Sequence, residues 1–122
     1  MSYGATASDV DRSAEFTRLM VAGCERLERE IGYRPTRFRQ MVAEHGGGGA
    51  AQHLLALTGD TSDGFTTLWE ARKLDLSVEA HVLLPRFAAL FTPSEVRTAR
   101  RRLEDHGFDV DAFLGDIGNG LP

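Results

Sequence analysis

The chain has 122 residues, of which 42% are hydrophobic and 26% charged, with a formal net charge of −4 and an isoelectric point of about 5.5. This length predicts one domain with a core of its own, and the acidic charge disfavours nonspecific binding to nucleic acid or anionic membranes, which need excess positive charge. The single cysteine, Cys24, excludes an intrachain disulfide and fits a reducing cytoplasm, and no apolar run is long enough for a transmembrane helix or follows a signal-peptide pattern.

A long first helix is predicted after a short polar tail. Residues 1–7 show no periodicity and are expected to be flexible. Ser8 or Ser13 can cap a helix whose apolar residues recur at spacings of three and four as far as Ile31. Gly32 is placed to end this helix.

Two shorter helices are predicted on either side of a glycine run. Thr36 is expected to cap the first of them, which ends at the four glycines of residues 46–49. The next helix is expected to extend from about residue 49 to residue 58, where Gly59 stops it. Residues 60–64 then have the composition of a turn.

A fourth helix is predicted to follow this turn. Ser62 is one candidate for its cap, and the pair Thr67 and Glu70 offers an alternative, later start as a capping box. Ser77 is expected to start a fifth helix that Pro85 limits, with one or two further turns before the next boundary.

The best-specified boundary lies at Thr92, Pro93 and Glu95. These residues supply a cap, a proline at the first helical position and a glutamate at the third. The helix is predicted to extend to His106, followed by a final turn near residues 109–117.

No alternation of β-branched residues indicates a strand. The sequence therefore predicts an all-α fold, with six or seven short helices around one core in a single domain over residues 8–117, and a flexible tail over residues 118–122.

The glycine run is a candidate anion site. A helix that starts just after it offers free N–H groups and the positive end of its dipole. A phosphate of a nucleotide or nucleic acid is the predicted ligand. The alternative is that the glycines only allow two helices to pack closely across a sharp turn. The candidate residues here are Arg34, Arg37, His45, Gly46, Gly47, Gly48 and Gly49.

The last strong helix is locally basic. Arg97, Arg100 and Arg101 are close together on one side of it and are added to the candidate phosphate site. The alternative is a solvated face, in which Arg100 pairs with Glu104 and Arg101 with Asp105 within the helix.

Carboxylates cluster around the fourth helix, at Asp60, Asp63, Glu70 and Asp75. Two of them can form an acid–base pair or hold magnesium, whereas Asp residues in a glycine-containing turn commonly serve turn geometry. The four histidines lack zinc-type spacing, so no metal, cofactor or catalytic residue is predicted.

Trp69, the only tryptophan, begins the densest signature of the chain. An aromatic residue at this spacing usually belongs to the core, but an exposed Trp69 or Phe65 is a natural anchor for a protein partner. The candidate partner-binding residues are Asp63, Phe65, Trp69, Glu70, Arg72 and Asp75.

Separate blocks of the sequence also carry a resemblance. They are Gly32-Tyr33-x-Pro35-Thr36-x-Phe38, His45-Gly46-Gly47-x-x-Ala50-Ala51-x-x-Leu54-Leu55, Ser62-Asp63-Gly64-Phe65-Thr66-x-Leu68-Trp69-Glu70, Leu74-Asp75-Leu76-Ser77-Val78-Glu79-Ala80, Leu90-Phe91-Thr92 and Ala99-Arg100-x-Arg102-Leu103. Over residues 31–108 the chain resembles a small all-helical bacterial module of unknown function, which occurs alone or at the ends of larger proteins, some related to DNA processing or phage defence. The resemblance implies an accessory role and brings no catalytic residue with it.

The leading functional hypothesis is a noncatalytic, cytoplasmic interaction module that binds a protein partner and no membrane. The first alternative is a phosphate-recognising protein that binds nucleic acid or a nucleotide, which the net charge disfavours. The second is a metal-dependent hydrolase or nuclease that uses Asp60 and Asp63.

Overall fold

The computed structural model describes residues 7–57 and 63–118. Within them every regular element is helical, which confirms the predicted all-α fold of six or seven helices in one compact domain. The α-helices are α1 (Ala7–Ile31), α2 (Thr36–Ala56), α3 (Asp63–Glu70), α4 (Val78–Val82), α5 (Pro93–Asp105) and α6 (Val110–Gly118), and two 3-10 segments cover Leu74–Leu76 and Pro85–Leu90.

The predicted tails and the proposed cap Ser62 lie outside the described residues, apart from Ala7 at the start of α1 and Gly118 at the end of α6. Among the described helices, none combines the length and the hydropathy that crossing a membrane requires.

Helix α1 forms one wall of the core. Its buried residues Phe16, Met20, Cys24 and Leu27 are spaced by three or four positions, so they share one face. Gly32 ends the helix as predicted, because its φ of 67° lies in the left-handed region.

The range of α2 holds two helical segments that meet at Gly46, so the predicted division into two helices at the glycine run is confirmed. Gly46 alone departs from helical geometry, with φ 77° and ψ 168°, and the second segment therefore begins earlier than the predicted start near residue 49. The break is confined to Gly46 and is not a loop of four glycines. Thr36 is the first helical residue, and the cap position belongs to Pro35, which provides no side-chain hydrogen bond.

Helix α3 begins before the alternative start at Thr67, so that start is wrong. Asp63 is already helical, and the Thr67 hydroxyl donates to the Asp63 carbonyl at 3.0 Å from inside the helix. The later boundaries are confirmed. Ser77 caps α4 by accepting from the Ala80 N–H at 3.1 Å, and Thr92 forms a complete capping box with Glu95.

Phe16 lies at the centre of the core. Its ring packs edge-to-face against Phe87 at 5.0 Å and Phe91 at 5.2 Å between ring centroids. Aromatic pairs in this geometry contribute about 0.5–1.5 kcal/mol beyond the area that they bury. They join α1 to the Pro85–Leu90 segment and to Phe91 directly after it, while the same helix also packs along α2.

Candidate functional site

The glycine run lies at a close crossing of α1 and α2. A Cβ atom added to Gly47 would stand 2.7 Å from the Thr17 Cα atom, a distance that real Cβ atoms essentially never reach. The Gly47 N–H donates to the Thr17 hydroxyl oxygen at 2.9 Å. This amide is therefore already used within the fold. The close packing at the run is between α1 and α2, whereas the predicted alternative was packing between the two helices that the run joins.

The residues near the remaining glycines also bear on the phosphate prediction. A shallow depression beside Gly49 is lined by His45 and by the carboxylate-bearing Glu95 of α5. An acidic side chain at this place repels a phosphate. The role of His45, Gly48 and Gly49 in anion binding stays a prediction.

The lining of the depression beside Gly49 includes none of the arginines predicted for the phosphate site. Arg37 is nine residues before Gly46 on α2, which is about 13 Å along the helix axis. Arg34 forms an ion pair with Glu28 at 2.9 Å. On α5, Arg100 pairs with Glu104 at 3.0 Å and Asp111 at 3.3 Å.

Arg97 and Arg101 are exposed on α5. Of the two predicted pairs within this helix, the one between Arg100 and Glu104 is present.

The neighbouring Arg102 is buried, and the sequence analysis missed it. Its guanidinium donates to the Leu54 carbonyl at 3.0 Å and to the Leu57 carbonyl at 2.7 Å, and it pairs with Glu79 at 3.3 Å. Burial raises the pKa of the Glu79 carboxyl, and Arg102 partly offsets this. The signal was available, since Arg102 follows the buried Ala99 by three residues and shares its helix face.

Trp69 lies at the surface with 47% of its area exposed. Its ring contacts the His106 ring edge-to-face at 5.1 Å, and His106 contacts Phe65 in the same manner at 4.8 Å. The His106 Nδ1 atom is 2.8 Å from the Arg102 carbonyl oxygen. Because a carbonyl only accepts, this nitrogen carries the proton and the ring is held in place.

The other predicted partner-binding residues divide into two groups. Phe65 is only 2% exposed, so it supports Trp69 from within the core and is not at the surface. Glu70, Arg72 and Asp75 are exposed. Asp63 is exposed at the opposite end of α3, about 9 Å from Trp69 along the axis.

The carboxylates around α3 are the sequence-based candidates for an acid–base pair or for magnesium ligands. Within residues 7–57 and 63–118, no group of three or more His, Cys, Asp or Glu side chains could hold a metal ion. Asp60 lies outside the described residues.

A cavity of about 630 Å³ lies between α1, α2, α3 and α4. Most of its wall is apolar and includes Met20, Leu27, Met41, Phe65 and Leu68. Polar groups at the cavity come from Tyr33, Arg34, Arg37, His53, Asp63, Ser77, Glu79 and His81.

Comparison with known protein families, with curated proteins and with solved structures gives no match for this chain.

Proposed function

We propose that this protein is a noncatalytic interaction module that binds a protein partner through the surface around Trp69. The observation that carries the proposal is a tryptophan that is half exposed and at the same time held by its neighbours. Tryptophan is enriched among the residues that dominate binding energy at protein interfaces. A ring fixed before binding loses little conformational entropy on association.

The residues around Trp69 supply a polar rim. We call Trp69, Glu70, Arg72 and Asp75 the Trp69 surface; the three charged side chains are exposed and carry both signs. An aromatic centre with a polar rim is the usual composition of a protein interface. Arg72 has a φ of 60°, and its N–H donates to the Trp69 carbonyl, so the turn after α3 is fixed.

The first test compares what the protein captures from a lysate of its native host with and without the tryptophan side chain. Trp69→Ala is expected to reduce recovery of a stoichiometric partner at least tenfold, because a central interface tryptophan commonly contributes about 2 kcal/mol or more. Val21→Ala is the matched control, since Val21 is 37% exposed on α1. Quantitative mass spectrometry measures the recovery.

Equal recovery by wild type and Trp69→Ala contradicts the proposal. The capture is also repeated after nuclease treatment. A partner that is lost with nuclease would move nucleic-acid binding to first place, and a partner that is retained supports direct protein contact.

A second test exchanges charges on the Trp69 surface. Glu70→Lys combined with Arg72→Glu preserves the net charge, so any general electrostatic attraction is unchanged. Loss of the partner in this folded double variant is expected, because opposite charges across an interface must match in position. If every interaction persists, the Trp69 surface is not the binding surface.

A further inference from the structure

We infer that the cavity between α1, α2, α3 and α4 binds a single-chain fatty carboxylate, with the hydrocarbon chain inside and the carboxylate at Arg37. This site is separate from the Trp69 surface and does not depend on the proposed protein partner.

The size and the lining of the cavity fit a small apolar ligand. Its volume of about 630 Å³ lies within the range of about 300–1,000 Å³ that is usual for small-molecule sites. The wall is formed mainly by leucine, methionine and phenylalanine side chains from α1, α2 and α3. Methionine is unbranched and adapts its shape to a flexible chain.

The cavity is kept open on one side by a glycine in the middle of α1. Gly23 lines the cavity, and a Cβ atom added there would meet nothing within 4 Å. Glycine inside a helix costs stability relative to alanine. At this position the missing side chain leaves space inside the cavity.

The polar side chains in the interior of the cavity offer no positive charge to a ligand. The His81 Nδ1 atom lies 2.8 Å from the Ser77 carbonyl oxygen and so donates to it, and burial lowers the pKa of this ring, which keeps it neutral. Burial also raises the pKa of the Cys24 thiol. Glu79 is held by Arg102. The interior therefore favours a hydrocarbon chain over a charged group.

The edge formed by the start of α2 favours an anionic head group. Arg34 is paired with Glu28, whereas Arg37 makes no ion pair among the described residues. The first turn of α2 contains no acidic residue, and Pro35 gives no side-chain cap. A carboxylate beside Arg37 is therefore favoured by the side chain and by the helix dipole together.

Asp63, at the start of α3, also lines the cavity and repels a carboxylate placed beside it. Burial, and then the charge of Asp63, raises the pKa of Tyr33.

The test is calorimetric titration of the full chain, stripped of lipid, with octanoate, decanoate and dodecanoate below their micelle concentrations. Affinity is expected to rise roughly tenfold for each two added carbons, because each buried methylene strengthens binding. It should stop rising when the cavity is full. Chemical shifts of the Met20 and Met41 methyl groups, which line the cavity, are expected to change on binding.

Two variants locate the ligand. Gly23→Leu is expected to fill the cavity and abolish binding, while Gly115→Leu, the same substitution at an exposed helical glycine with open space around it, leaves binding intact. Unchanged binding by a folded Gly23→Leu overturns the assignment. The methyl shifts of the wild type decide the same question if that variant fails to fold.

The head group is tested with Arg37→Gln and with uncharged and cationic probes. Arg37→Gln is expected to weaken dodecanoate about tenfold and to leave dodecanol unaffected. Equal binding of dodecanol and dodecanoate, or preferential binding of dodecylamine, overturns the carboxylate assignment. Absence of binding by every probe overturns the site itself. Trp69→Ala should bind dodecanoate as wild type does, so this site and the protein-partner proposal fail independently.

Discussion

Arg102, on α5, donates hydrogen bonds to backbone carbonyls at the end of a different helix, α2. Its guanidinium reaches the carbonyls of Leu54 and Leu57. The Leu54 carbonyl also accepts from the Leu57 N–H at 3.3 Å, so Leu57 is the residue whose carbonyl depends on Arg102. The same group pairs with Glu79, which is only 4% exposed. One side chain thus neutralises a buried carboxylate and completes the end of another helix.

Arg102→Met is expected to lower the free energy of unfolding by about 3–5 kcal/mol, because it leaves the buried Glu79 carboxylate without its ion-pair partner and removes the hydrogen bond to the Leu57 carbonyl. Urea denaturation followed by circular dichroism measures this loss. Arg101→Met is the control. Arg101 is the exposed neighbour of Arg102, so its substitution should change stability by no more than about 0.5 kcal/mol. If Arg102→Met and Arg101→Met lower the free energy of unfolding by similar amounts, the stabilisation by Arg102 does not come from its burial.

Adjacent glycines in α2 are expected to respond in opposite directions. Gly47→Ala places a methyl group 2.7 Å from the Thr17 Cα atom and should destabilise the protein by about 1–3 kcal/mol. Gly48→Ala meets nothing within 4 Å and should stabilise it by about 0.5–1 kcal/mol. Thermal unfolding of both variants is the measurement, and a shift of the same sign in both would contradict the helix-crossing geometry.

These two sites show where sequence reasoning stops at the residue scale. The glycine run was recognised as special, but a sequence does not show which glycine approaches Thr17 across 30 positions of chain. Arg102 stands beside Arg97, Arg100 and Arg101, and residue type alone does not distinguish it from them. Its spacing of three from Ala99 predicts the buried face, but its partners on α2 and α4 are seen only in the fold.

At the scale of elements, α5 has the most complete set of start and stop signals. Thr92 accepts from the Glu95 N–H at 3.1 Å, and Glu95 accepts from the Thr92 N–H at 2.9 Å. Gly107 follows with a φ of 79°. Such local chemistry depends on few other parts of the chain, which is why the sequence predicted this helix correctly.

Thr92→Ala is expected to cost about 1 kcal/mol of stability, the usual effect of losing a capping hydroxyl. Ser94→Ala in the same turn serves as the comparison, because Ser94 is exposed and occupies the second helical position. Denaturation midpoints of the two variants are compared. A cost at Ser94 as large as that at Thr92 would mean that the capping box is not the source.

Short elements were less predictable than long ones. The segment Leu74–Leu76 was not predicted, because three residues are too few to show a period. Two helices around the glycine run are predicted and present, but the break between them is confined to Gly46 and does not take up all four glycines. Four glycines weaken a helix in isolation, but packing against α1 maintains the hydrogen-bond pattern on both sides of Gly46.

At the scale of the whole molecule, ion pairs connect α1 to segments far along the chain. Glu30 pairs with Lys73 at 2.6 Å, just after α3, and Glu15 pairs with Arg86 at 2.8 Å. Lys73 and then Arg26 lower the pKa of Glu30 from 4.5 to about 2. The charged form of this carboxylate is therefore favoured by folding.

The pH dependence of stability should report this carboxylate. Because its pKa is lower in the folded state, its contribution is present above pH 4.5 and is lost as the pH falls toward 2. Glu30→Gln is expected to melt slightly below wild type at pH 7 and at the same temperature near pH 2. If the difference in melting temperature between Glu30→Gln and wild type is the same at both pH values, it comes from packing and not from the charge of Glu30. The difference in melting temperature is expected to be small, because the ion pairs of Glu30 are exposed to solvent.

The overall architecture was predictable, but the cavity was not. Helix type and number follow from periodicity, caps and stops within each segment. The cavity depends on how far apart four helices lie, and periodicity reports only which face of each helix is apolar. The exposure of Trp69 was also not predictable, since the sequence alone is compatible with both a core and a surface position.

The contacts of Arg102 also affect the kinetics of folding and unfolding. They join residues that are 48, 45 and 23 positions away along the chain, and pairings across long loops tend to form late in folding. Arg102→Met is therefore expected to accelerate unfolding and to leave the refolding rate close to that of wild type. Stopped-flow fluorescence of the single tryptophan can measure both rates. This arginine would then determine the lifetime of the native state and not the speed at which the chain reaches it.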